Sequence, residues 1–265
     1  MATMFWFEFG ILFVAALFGG LTIMPYSLRL LKASTRSKPL KMSVSMLILI
    51  SFLQTAVLSA IAIGIGLLTA HSIGLGAPYV EALAGAEKIQ RVGTMLPRAV
   101  ALGSLGGLAL VLMDIFFLPH LPLLLELARN TSLQENFLAS FYGGINEEFL
   151  TRLFGFSIIT WLLCKLWHTS TSTPTSPVFW SANIIMAIIF GLGHLPAAKN
   201  LLGKITPLVL ARTLLLNAPF GLICGWLFWH YGIEAAVVAH FSADIVYHVG
   251  GTLVLRLKDR YHFVS

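Results

Sequence analysis

Residues 137–166 read FLASFYGGINEEFLTRLFGFSIITWLLCKL, an apolar run that carries Asn146-Glu147-Glu148-Phe149-Leu150-Thr151-Arg152 near its middle. At about 1.5 Å of rise per helical residue, such a run is long enough to cross the roughly 30 Å hydrocarbon core of a bilayer. An ionisable side chain there costs about 2.5–3.5 kcal/mol on insertion scales, so it usually marks function. The stretch therefore predicts both a membrane helix and a chemistry held inside the membrane.

Composition extends that reading to the whole chain. Of 265 residues, 57% are hydrophobic and 11% charged, and mean hydropathy is +0.86; a soluble domain carries about 25% charge. Seven apolar segments, at about 4–28, 43–70, 99–118, 137–166, 178–195, 207–229 and 233–255, approach or exceed the length of a membrane span. The expected fold is all-α: a polytopic bundle of about seven spans. The first segment reads as a retained span, because its basic cluster follows the apolar run and the run is too long for a signal peptide. That cluster, Arg29, Lys32, Arg36, Lys38 and Lys41, is the densest in the chain and is expected to face the cytoplasm. Propagated along the chain, the orientation puts Arg129, Lys199, Lys204, Arg256, Lys258 and Arg260 on the same side, with Lys88, Arg91 and Arg98 in the outer loops.

The net charge of +6 does not point to nucleic acid, since no basic run is interleaved with aromatics. Cys164 and Cys224 lie in apolar stretches without CxxC spacing, so neither a disulfide framework nor a thiolate metal site is expected. The 71–97 loop reads as a partly helical connection, and 168–177, rich in Ser, Thr and Pro, as a flexible turn.

Polar residues within the spans form a small set. Glu147, Glu148 and Arg152 lie on the fourth span, His194 near the end of the fifth, and His240, Asp244 and His248 on the seventh. Residues four apart share a helix face, so Glu148 can meet Arg152, and His240, Asp244 and His248 form one row. Glu148 and Arg152 read equally as a salt bridge that fixes the helix. Glu147, turned about 100° from Glu148 by the 3.6-residue period, has no local partner and is expected to face a polar cavity, where a carboxylate can act as general base toward water. His194 and His248 alone read as structural, and Asp114, Glu8 and Glu234 as interfacial.

Taken in order, Glu147-Glu148-x-x-x-Arg152, Phe190-x-x-x-His194 and His240-x-x-x-Asp244 resemble the CPBP family of intramembrane proteases, also called the CAAX-protease or Abi family. The resemblance covers about residues 135–257 as a four-helix catalytic core, with 1–134 a variable N-terminal membrane region. It implies a cavity opening toward the cytoplasm of a prokaryote, a peptide or protein substrate that can be lipidated, and peptide hydrolysis by a glutamate-activated water. Carried over by motif position, Glu147 is the base, Glu148 and Arg152 its polar support, and His194 a partner that holds the water. His240 and residue 244 stabilise the oxyanion. Many members have Asn where this chain has Asp244, and an ionised Asp cannot donate to an oxyanion; the expected role of Asp244 is to orient His240.

Three other readings use the same residues. Two histidines with carboxylates suit zinc, but the helix-borne His-Glu-x-x-His signature is absent and the resemblance implies no metal or other cofactor. A proton-coupled transporter would use Glu147, His194 and Asp244 as a relay, against which stands the lack of an inverted repeat. A non-catalytic immunity or scaffold protein would keep the cavity without cutting.

Overall fold

Local sequence starts and stops the helices where the apolar runs require it. Ser43 caps the second span by accepting from the Met46 N–H, and Thr206, followed by Pro207, caps the sixth through Val209 N–H. The fourth span begins with a capping box, in which Ser132 Oγ accepts from Glu135 N–H (3.0 Å) and Glu135 accepts from Ser132 N–H (2.9 Å). Gly232, at φ +92°, turns the chain from the sixth span into the seventh, a conformation that disfavours any residue with a Cβ.

The computed structural model describes residues 2–34, 42–85 and 92–262. Arg36, Lys38, Lys41, Lys88 and Arg91 of the orientation pattern lie outside them. Among the described residues there are helices and no strands, and seven helical stretches are long and apolar enough to cross a membrane: Thr3–Ala33, Val44–Ser72, Gly93–His120, Leu133–Leu166, Ser176–Leu202, Pro207–Tyr231 and Ile233–Leu257. The protein is an all-α, multi-pass membrane bundle, as composition predicts. Short helices fill the connections. Pro78–Leu83 lies in the loop expected to be partly helical, and Pro122–Asn130 precedes the fourth span.

The fourth span is central. It packs against the first, second, fifth and seventh spans, while the third lies against the sixth and seventh on the opposite flank. Leu12, Ile63, Leu153, Phe156, Phe179 and Phe228 fill the interior around it, whereas Val14, Leu68, Leu105 and Phe116 point outward with most of their surface exposed, as lipid contact requires. Close approach at the centre depends on Gly143 and Gly144, where a Cβ would run into Asp244 and Phe241 of the seventh span. Two spans depart from α winding. Gly143–Glu147 and Phe149–Phe156 in the fourth, and Ile245–Gly250 in the seventh, adopt the wider π winding, a geometry concentrated at functional sites.

Candidate active site

The wide winding of the fourth span carries the acidic pair and sends its members apart. Glu148 is fully buried, whereas Glu147 keeps about a quarter of its side chain exposed and lines a cavity of about 340 Å³. Beside them Asn146 is anchored away from the cavity, donating to the Ala16 carbonyl at 2.9 Å, so the helix is pinned to the first span next to the two acids.

Glu147 meets histidines from two other spans. Its Oε2 lies 3.7 Å from His194 Nε2 and 4.0 Å from His240 Nε2. Both separations exceed a direct hydrogen bond and suit a shared water. His194 Nδ1 is 2.9 Å from the Phe190 carbonyl, which can only accept, so Nδ1 carries a proton and Nε2 is the ring nitrogen turned toward Glu147. The Phe-x-x-x-His spacing thus has a local cause. Phe190 also packs its ring under the Arg152 guanidinium, 4.8 Å from ring centre to Cζ, and edge-on to both imidazoles.

Behind this front lies a relay of fixed contacts. Glu148 Oε1 accepts from Arg152 Nη1 at 2.9 Å and from His240 Nδ1 at 2.6 Å, and Arg152 Nη2 donates to the Gly221 carbonyl at 2.9 Å. The i,i+4 pair foreseen in the sequence is present despite the π winding. The carboxylate in hydrogen-bond contact with His240 is therefore Glu148, 92 residues away in sequence, where the sequence pointed to Asp244. Asp244 Oδ1 instead faces the other ring nitrogen, 3.8 Å from His240 Nε2, and lies 3.9 Å from His248 Nε2. All six motif residues gather at one place. His248, read as structural, also lines the cavity, and its four-residue spacing from Asp244 was the available signal.

Sequence reasoning missed a second polar cluster on the same cavity. Asp114, near the end of the third span, is buried in the protein; its oxygens accept from Arg212 Nε and Nη2, both at 2.7 Å, and from the Tyr247 hydroxyl at 2.6 Å. Glu8, likewise buried, meets His71 Nε2 at 3.0 Å. Glu234 accepts from the Tyr79 and Val80 N–H groups, at the N-terminus of the short helix Pro78–Leu83.

Two groups of three side chains, among the described residues, bring ligand-type atoms within 4.8 Å of one another: Glu148, Cys224 and His240, and Glu8, His71 and Glu81. Neither contains Glu147 or His194. In the first, Glu148 and His240 are in direct contact, and the Arg152 guanidinium already supplies the cation.

The fold and the site together define a class: a multi-pass membrane protein in which glutamate, histidine and arginine side chains are buried around one cavity. Residues 129–246 match the model of the family described as type II CAAX prenyl endopeptidase Rce1-like. The resemblance read from the three motifs is thereby borne out at family level, and with it a membrane-embedded, CAAX-type endopeptidase class. All six motif residues fall inside the match; the first three spans fall outside it. No curated protein and no solved structure matches the chain significantly.

Proposed function

We propose that this protein hydrolyses a peptide bond at the membrane with a water activated by Glu147. The observation that carries the reading is the placement of Glu147 Oε2 at 3.7 and 4.0 Å from two imidazole nitrogens on the cavity wall. A water there gives one hydrogen to Glu147 and the other to the accepting Nε2 of His194, which leaves an oxygen lone pair directed at a carbonyl carbon. Attack forms the C–O bond as the proton passes to Glu147. His240, protonated, donates Nδ1–H to Glu148 and directs Nε2–H at the developing oxyanion. The C–N bond then breaks, and Glu147 returns the proton to the leaving amine.

Glu148 and Arg152 hold His240 in this scheme and touch no substrate. Asp244, ionised, is an acceptor; we assign it to hold the His240 Nε2–H toward the cavity through a bridging water until substrate displaces it. The scheme uses no metal.

We place the cavity mouth on the cytoplasmic side of a prokaryotic membrane. Its lining includes Tyr26, Leu30, Leu124, Leu127 and Leu201, from the end of the bundle that also bears Arg29, Lys32, Arg129 and Lys199. Its apolar wall suits a membrane-proximal or lipidated peptide, which covers CAAX-type processing, peptide maturation and immunity-related cleavage.

The test is reconstitution in lipid vesicles with lipidated and unmodified reporter peptides, products being read by mass spectrometry. Cleavage by wild type, with and without a strong chelator, and its loss in Glu147→Ala and His194→Ala are expected. Activity lost on chelation and restored by zinc would overturn the metal-free scheme. Proton flux without cleavage, abolished by the same substitutions, would favour a relay instead.

A further inference from the structure

The cluster of Asp114, Arg212 and Tyr247 lies on the cavity but outside the six-residue motif set. We infer that it is a positioning device, through which the third span sets the part of the seventh span that faces Glu147; the catalytic unit of this chain then includes Asp114, beyond the residues matched by the family. The inference rests on the proposed peptidase reading for its kinetic consequence only.

Three observations carry it. First, Asp114 accepts three hydrogen bonds: two donors from Arg212 and one from Tyr247 meet its two oxygens at 2.6–2.7 Å, and Arg212 Nη2 also donates to the Tyr247 hydroxyl at 3.0 Å. The guanidinium is neutralised, so the cluster is no anion site; it ties the third, sixth and seventh spans at one point. Second, Tyr247 sits in Ile245–Gly250, the π-wound turn that begins directly after Asp244 and contains His248. A wide turn needs external contacts to hold it, and the same turn is gripped from the fourth span by Asn136, which donates to the His248 carbonyl at 3.0 Å. Third, the third span lies backbone to backbone on the seventh just before this turn. A Cβ on Gly103 would strike Ala239, and one on Gly107 would strike Ala243. Helix contact through Gly-x-x-x-Gly fixes distance but little else; rotation of the turn is left to the polar tie.

The orientation of Asp244 toward His240 and of His248 toward Asp244 is therefore assigned to the Tyr247 hydroxyl and the Asp114 carboxylate, which meet each other on the cavity wall. Tyr247→Phe removes one donor and leaves the Asp114–Arg212 pair and the ring packing in place. The expected result is a fall in kcat of about tenfold with KM changed less than twofold, because misplacement within a site acts mainly on the oriented step. The thermal midpoint should fall by about 6 °C at most, since Asp114 keeps both bonds from Arg212. In an Asp244→Ala background the same substitution should cost almost nothing further, since its effect passes through that residue. A purely structural role would give the same loss in both backgrounds, and would overturn the inference, as would wild-type kcat in both Tyr247→Phe and Asp114→Asn.

A second readout is independent of catalysis. His248→Cys places a thiol on the cavity wall, while the native Cys164 and Cys224 are buried. Its labelling by a small maleimide should change severalfold when Tyr247→Phe or Asp114→Asn is added. An unchanged rate in both would overturn the positioning role whether or not the protein cleaves peptides; failure of cleavage or survival of activity in Glu147→Ala would count against the peptidase reading alone.

Discussion

Replacing Arg152 by Met tests whether Glu148 is held as a buried anion. Arg152 and Glu148 are 1% and 0% exposed, and the guanidinium makes a 2.9 Å bond to Glu148, another to the Gly221 carbonyl, and a face contact with Phe190. Met fills much of the volume but leaves Glu148 with His240 as its remaining hydrogen-bond partner. Removal of one member of a buried pair costs about 3–5 kcal/mol. The His240 imidazole 2.6 Å away still donates to Glu148 and offsets part of this, so the lower end applies. At about 2–4 °C per kcal/mol for a chain of this size, the midpoint should fall by about 6–12 °C. Adding Glu148→Gln removes the stranded charge and should recover at least half of that loss, while activity stays low because His240 has lost the carboxylate that orients it. Thermal unfolding in detergent, followed by a thiol-reactive dye on the buried Cys164 and Cys224, measures both variants. A midpoint within 2 °C of wild type for Arg152→Met, or a double variant no more stable than the single, would refute the reasoning.

His194→Ala should lower kcat by about 10²-fold with little change in thermal midpoint, because the imidazole is partly exposed on the cavity and its part in the proposed scheme is to hold the water; steady-state kinetics and a melt on the same preparation check it. Asn146→Ala should do the reverse. It strands the Ala16 carbonyl and unpins the first span, at a cost of about 1–3 kcal/mol read as a lower midpoint, with residual activity in the folded fraction.

The membrane fold was legible because the evidence for it is local. Apolar runs of spanning length and the acidic pair within the fourth run can each be read from a single stretch of sequence. The candidate site was legible in its members but less so in its wiring. Glu148 and Arg152 pair within one turn, whereas the bond from Glu148 to His240 joins positions 92 apart, and no spacing rule could transfer the orienting role from Asp244 to Glu148. Asp114 and Arg212 stand alone on their spans, 98 residues apart, and become partners only when the third span docks on the sixth and seventh. The π winding around Glu147 and after Asp244 has no residue signature either; tertiary contacts such as Asn136 with His248 hold it.

The central claim is that Glu147 takes the proton from water, and kcat/KM of Glu147→Gln on a cleaved reporter tests it most directly. The amide keeps size and hydrogen bonding but cannot act as a base. The account predicts a fall of at least about 10²-fold at an unchanged thermal midpoint; a folded variant within threefold of wild type would contradict it.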